Sequence, residues 1–226
     1  MIKAVVFDCY GTLVDTGNGS VKAAETILAA RNSTVNVEQF YKKWKQLHHE
    51  ICCSSPFKTE ADAFLLSLER LYEIYSIDGR AQEDVTIMLD TLGNRFVYPE
   101  VLETLARLAD SFELVIGSNS DHEPLMRDIS RNQIHIANVH SSESLQAYKP
   151  NAIFFERLLS ELKLAPHEVV YVGDSPVDDI EGSAQAGIRN IWINRKKGAF
   201  TGTVAPTYEC EDLRGVGECL LSDPAH

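Results

Sequence analysis

Val5-Val6-Phe7-Asp8-Cys9-Tyr10-Gly11-Thr12-Leu13-Val14-Asp15 sets an apolar run directly against a carboxylate, a glycine and a hydroxyl. The run reads as a strand covered on both faces, because its apolar residues are continuous rather than alternating. Three later stretches repeat the arrangement: Val115-Ile116-Gly117-Ser118-Asn119, Tyr148-Lys149-Pro150 and Val170-Tyr171-Val172-Gly173-Asp174-Ser175. In an open parallel sheet the strand C-termini meet at one edge, where ligands bind. Asp8, Thr12, Ser118, Asn119, Lys149 and Asp174 are therefore expected around one cleft.

Working outward, strands are predicted over residues 2–7, 113–116, 134–139, 168–172 and 189–193, with a weaker one over 207–210 and a closing helix over 212–221. Val101, Leu102, Leu105 and Leu108 recur on one helical face, as do Ile153, Phe154, Leu158, Leu159 and Leu162. Strand and helix alternating over 99–194 predicts an α/β fold, a Rossmann-like parallel sheet. Residues 20–96 break this rhythm with four consecutive helical stretches: 21–30, 37–51, 59–77, where Gly79 suits the C-cap, and 82–96. The expected organisation is a discontinuous core, residues 1–15 and 97–226, with an all-helical cap inserted at 16–96. Because the insert leaves just after Asp8 and Thr12, it should overhang the cleft.

The 226 residues carry a net charge of −12 and no long basic stripe, which disfavours nucleic acid as a partner. A 44% hydrophobic composition supplies an ordinary core, and no apolar stretch approaches the roughly 18–20 residues of a membrane span. Met1-Ile2-Lys3 runs straight into a strand, so a cytoplasmic protein without a signal peptide is expected. It is expected to act as a monomer or a homodimer on a small anion. The five cysteines lack metal-ligand spacing and read as free thiols.

The residue types suit displacement at an anionic centre. A carboxylate at Asp8 can attack an electrophile and form an ester or acyl phosphate that water cleaves. Gly11 permits a tight turn, and Thr12 can hold a substrate oxygen. Ser118, with the amides that follow it, can cradle an oxyanion. Lys149, placed before a proline that suits a helix start, can balance charge. Mg2+ takes one or two carboxylates, a carbonyl and waters; Asp8, the Tyr10 carbonyl and Asp174 match that set. Each segment alone also reads as an ordinary cap, turn or surface lysine. Cys9 should point away from the cleft by strand alternation. His48, His49 and His122 read as solvated or helix-capping, and Trp44 and Tyr75 as cap core.

Together the Asp-x-x-Gly-Thr-Leu, Ser-Asn, Lys-Pro and Gly-Asp-Ser-x-x-x-Asp signatures, extended by residues 179–187, resemble the haloacid dehalogenase superfamily of hydrolases over essentially the whole chain. The resemblance implies Asp8 as nucleophile, Ser118 on a substrate oxygen and Lys149 steadying charge. It also implies magnesium on Asp174, with Asp178 or Asp179 in support. Phosphatases of that superfamily carry an aspartate acid–base two residues after the nucleophile, where this chain has Tyr10. A neutral phenol, with an ordinary pKa near 10, is a poor acid for that task. Asp-x-Tyr-Gly-Thr-Leu instead resembles the metal-independent 2-haloacid dehalogenases, yet those have serine at position 174. They also use a cap arginine, for which Lys43 is the nearest match, and a tyrosine where Phe155 stands. Three readings remain open: a magnesium-dependent phosphatase of a small phosphorylated metabolite, which the metal loop favours; a 2-haloacid dehalogenase working through an aspartyl ester; and a non-catalytic binding member.

Overall fold

The computed structural model describes residues 1–222. Six strands, β1 (Ala4–Phe7), β2 (Glu113–Ser118), β3 (Asn138–Ser141), β4 (Val169–Gly173), β5 (Arg189–Ile193) and β6 (Tyr208–Cys210), form one sheet in the order β3-β2-β1-β4-β5-β6. Every neighbouring pair is parallel. This is the Rossmann-like α/β sheet expected from the alternation of strand and helix. Register places the chemistry. Phe7 lies opposite both Ile116 and Val172, so Asp8, Gly117 and Gly173 emerge side by side at the same sheet edge.

The helices α1 (Gly19–Ala30), α2 (Val37–Cys52), α3 (Glu60–Tyr75) and α4 (Ala81–Leu89) come before the second strand. The helices α5 (Val101–Ala109), α6 (His122–Arg131), α7 (Ser142–Leu145), α8 (Ala152–Leu162), α9 (Gly182–Gln185) and α10 (Leu213–Ser222) follow the sheet's rhythm. Each group has its own apolar packing, and a small further cluster joins Ile51, Cys52 and Ala63 to Tyr148. One cluster joins β-strand residues such as Val5, Phe7, Ile116 and Val172 to Leu105, Leu125 and Val216, and a second fills the other sheet face with Val6, Phe154, Phe155 and Tyr171. A third is built by α1–α4 alone, from Ile27, Phe40, Trp44, Leu68, Leu71 and Met88. The chain passes into and out of these four helices along paired segments. Val14 and Val97 form an antiparallel bridge, Asp15 donates its N–H to Phe96, and Tyr98 donates to Leu13.

Several boundaries depart from the sequence reading. The strand expected over 134–139 pairs only from Asn138. Ile134 and Ile136 bury their side chains in the core while running as irregular chain, so alternation there marks packing before the edge strand begins. The fourth helix stops at Leu89 rather than reaching Phe96, and Gly93, at a φ of 72°, lies in the turn that follows. The third helix ends on Ser76 in the left-handed region, not on Gly79. Gly79 is small for another reason: a Cβ there would lie 2.7 Å from Nε of Arg31, which pairs with Asp84. Pro150 precedes rather than opens its helix; Asn151 caps α8, accepting the N–H of Ile153 at 3.0 Å. Among the described residues, no helix is long and apolar enough to cross a membrane.

Candidate active site

Asp8 ends β1 with its N–H bound to the Val172 carbonyl at 2.8 Å, and alternation turns Cys9 into the core. The Asp8 carboxylate is buried at 6% exposure. Its Oδ1 accepts the Lys149 ammonium at 2.7 Å and the Ser118 hydroxyl at 3.4 Å. Lys149 is itself fully enclosed. Besides Asp8 it donates to Oδ1 of Asp179 at 2.7 Å, to the phenol of Tyr171 at 2.9 Å and to the Gly117 carbonyl at 3.2 Å. Asn119 fixes the backbone behind this lysine by a reciprocal pair: its carbonyl oxygen accepts the Lys149 N–H at 2.8 Å, and its amide donates to the Lys149 carbonyl at 3.0 Å.

The loop after β4 completes the cluster. Gly11, at a φ of 98°, leaves room for the Asp174 carboxylate; a Cβ there would fall 2.4 Å from Oδ2 of Asp174. The Trp192 indole holds the Asp174 carbonyl at 2.9 Å. Asp179 uses both oxygens, one for Lys149 and one for the N–H of Ser175 at 2.9 Å. Asp178 instead turns to a cavity above the sheet edge, and its Oδ1 is buried without a hydrogen-bond partner. Of the two aspartates expected to support the site, Asp179 contacts the lysine and Asp178 does not.

Asp8, Asp174 and Asp179 each offer an oxygen within 4.8 Å of the others. Their three negative charges face one ammonium. Burial, with Lys149 opposing it, pushes the Asp8 pKa up to about 6. Burial, then the charges of Asp8 and Asp179, pushes Asp174 up to about 8. Burial works against the Lys149 ammonium too, but Asp179 and Asp8 outweigh it and hold its pKa well above the ordinary lysine value. Uncompensated buried carboxylates of this kind fit a hard divalent cation, which prefers oxygen donors. The directly facing oxygens come from Asp8 and Asp174, with the Tyr10 carbonyl, left free by the turn bonds Gly11 N–H to Val14 and Val14 N–H to Cys9, as the third donor of the proposed set.

The Tyr10 side chain leaves the cleft. Its phenol donates to Oδ2 of Asp128 at 3.0 Å, and the Arg95 guanidinium covers its ring at 4.4 Å from the centroid. Burial holds the phenol's pKa far above its ordinary value. Tyr10 is therefore corrected as a catalytic side chain; only its backbone remains for the site. Thr12 is fully buried with an unpartnered hydroxyl, and its carbonyl accepts Arg195 at 2.7 Å.

A cavity of about 350 Å³ lies over Lys149, Asn119 and Asp178 and is roofed by the helices α2 and α3 through Tyr41, Trp44, His48 and Glu60. Lys43 does not line it. That ammonium donates to Gln46 at 3.2 Å on the outer side of α2, whereas Lys45 and Arg95 are the additional cations of the wall. His48 and His49 also line it; His49 is exposed, as the solvated reading expected, whereas His48 is not, and burial lowers its pKa to about 4, so its ring is neutral. Trp44 is cap core as expected, its indole bound to Ser67 at 2.8 Å, while one edge reaches the cavity. Phe155 packs edge-on against Tyr171, and it is Tyr171, from β4, that brings a phenol to the lysine. Glu60 and Arg95 carry no motif, and Tyr171, though inside one of the four stretches, reads there only as part of a buried strand.

A family model described as haloacid dehalogenase-like hydrolase matches residues 2–187. The (S)-2-haloacid dehalogenase 4A of Burkholderia cepacia is 26% identical over 203 residues, covering 86% of this chain and 84% of that protein. The phospholysine phosphohistidine inorganic pyrophosphate phosphatase of Danio rerio is 24% identical, covering 93% and 87%. Among solved structures, the HAD-hydrolase YfnB from Bacillus subtilis shares the fold with a TM-score of 0.81 at 16% identity, over 97% of this chain and 99% of that one.

Proposed function

Because the chain belongs to the haloacid dehalogenase-like hydrolases, we propose that it is a magnesium-dependent phosphatase acting on a small phosphorylated metabolite through an aspartyl phosphate. One observation carries this reading: Asp174 stands with Asp8 and Asp179 in a buried cluster whose negative charge exceeds that of its single ammonium. Magnesium, when bound by Asp8, Asp174 and the Tyr10 carbonyl, supplies positive charge that offsets the substrate's phosphate oxygens. The relatives divide: several are named phosphatases, and the YfnB structure is described as bound to magnesium.

In this reading Asp8 is held by Lys149 and Ser118 so that its remaining oxygen faces the phosphorus. The Lys149 ammonium, fixed by Tyr171 and the Gly117 carbonyl, keeps Asp8 ionised beside two other carboxylates. The Ser118 hydroxyl and the amides after it bind a phosphoryl oxygen, and Lys45 and Arg95 draw a small anion to the cavity.

A metal-independent 2-haloacid dehalogenase is the second reading. It is favoured by Tyr10, whose phenol is unavailable as an acid, and by relatives named (S)-2-haloacid dehalogenase. The deciding experiment measures phosphate release from p-nitrophenyl phosphate and chloride release from 2-chloropropionate, each with magnesium and with EDTA. Phosphate release abolished by EDTA and by Asp8→Asn supports the phosphatase. Chloride release that survives EDTA, without phosphate release, overturns it.

A further inference from the structure

The backbone N–H groups of Glu60 and Ala61 donate to the two carboxylate oxygens of Asp121 at 2.6 and 3.0 Å. Asp121 stands three residues after Ser118, so a carboxylate beside the oxyanion loop caps the helix α3 from outside its own chain segment. This contact seats the first residue of α3 over the cleft. The Glu60 side chain lines the same cavity as Lys149, Asn119 and Asp178. No hydrogen bond or ion pair to its carboxyl occurs among the described residues, so the group faces the cavity unspent, while the acid position two residues past Asp8 is filled by a phenol bound elsewhere.

We propose that Glu60 is the proton donor to the leaving group, delivered from the helical layer rather than from the loop of the nucleophile. This rests on the phosphatase reading and extends it to alkyl phosphates. In the first step an Asp8 oxygen bonds to phosphorus, the bond from phosphorus to the alkoxy oxygen breaks, and the Glu60 proton goes to that oxygen. The products are an alcohol, an aspartyl phosphate and a Glu60 carboxylate. In the second step the Glu60 carboxylate takes a proton from water, the water oxygen bonds to phosphorus, and the phosphorus–Asp8 bond breaks, regenerating Asp8 and protonated Glu60 with release of hydrogen phosphate.

The surroundings suit an acid that is protonated near neutrality. Burial and the Asp121 charge push the Glu60 pKa up to about 7, with Arg95 opposing them. The other titratable groups beside it are the phenols of Tyr10 and Tyr148, the Cys52 thiol and the neutral His48 ring, and the same cavity is lined by Lys45, Lys149, His49 and Asp178, none of them paired with the Glu60 carboxyl among the described residues.

The test compares wild type and Glu60→Gln on p-nitrophenyl phosphate, whose leaving group needs no proton, and on a simple alkyl phosphate, with thermal melting as the fold control. Expected are a fall of about 10²-fold or more in the first-turnover release of alcohol from the alkyl ester and a change under about threefold in the first-turnover burst of p-nitrophenolate, while steady-state turnover, limited by the second step that both esters share, falls on both. The high-pH limb of the alkyl profile should vanish with the variant. Equal effects on the first-turnover rates of both esters, or a wild type active only on the aryl ester, overturn the assignment of Glu60 and leave the phosphatase reading standing. Absence of magnesium-dependent phosphate release from either ester overturns both.

Discussion

The Tyr10 phenol donates a hydrogen bond to Asp128, a residue 118 positions away and fully buried. Asp128 also accepts the Arg95 N–H at 2.8 Å, so one carboxylate ties the nucleophile loop to the segment leading out of the four helices. Tyr10→Phe should lower stability by about 1–2 kcal/mol, the cost of a hydrogen bond lost from a buried charge. Its activity pattern across aryl and alkyl esters should match that of wild type. A selective loss on alkyl esters would instead make the phenol the acid.

Gly11 is where backbone geometry and the metal loop meet. Gly11→Ala puts a methyl group into the Asp174 carboxylate and asks alanine to hold a φ of 98°. Magnesium affinity, read by calorimetric titration, should fall about 10–100-fold, as when a metal ligand's support is disturbed. Unchanged affinity would remove Asp174 from the ligand set.

Metal-free stability should fall as pH rises, and magnesium should offset that fall. Asp174 titrates near about 8 in the folded chain and Glu60 near about 7, both above their ordinary values, and the His49 bond to Cys53 raises that ring as well. Between pH 6.5 and 8.5 the folded chain therefore holds more protons than the unfolded one, and metal-free stability falls as pH rises. Below 6.5 the lowered His48 works the other way. Melting curves in EDTA should show this fall, and magnesium should raise the melting temperature more at pH 8 than at pH 6. A flat profile in EDTA would contradict the carboxylate cluster.

Lys149→Met leaves Asp8 and Asp179 facing each other with no cation bonded to either among the described residues. Removing one side of a buried ion pair costs about 3–5 kcal/mol. Urea unfolding at pH 8 in EDTA should show that loss, with partial recovery on adding magnesium. A change below about 1 kcal/mol would be the behaviour of an exposed pair.

Much of this was legible in the chain. Continuous apolar runs at Val5–Phe7, Val115–Ile116 and Val170–Val172 became central or near-central strands, because burial on both faces demands that composition. The polar residues that follow such runs had to share one edge once the strands were parallel, so Asp8, Ser118 and Asp174 converge as their positions implied, whereas Lys149 follows no strand and reaches them from the turn between α7 and α8. Boundaries at the sheet margin were less readable: Ile134 and Ile136 alternate like a strand but pack without pairing.

What the order of residues fixed alone was the fold class and the four stretches that meet, since local periodicity and strand-end position suffice for both. What only the tertiary structure decided was where the side chains around that edge point and what they touch. Asp179 rather than Asp178 meets Lys149, Tyr171 supplies a phenol where Phe155 has none, the Tyr10 phenol turns to Asp128, Lys43 stays outside while Lys45 lines the cavity, and Asp121 seats Glu60 over the cleft. Each of these is settled by the direction of a side chain or by a contact between segments far apart in sequence, and spacing along the chain carries no record of either.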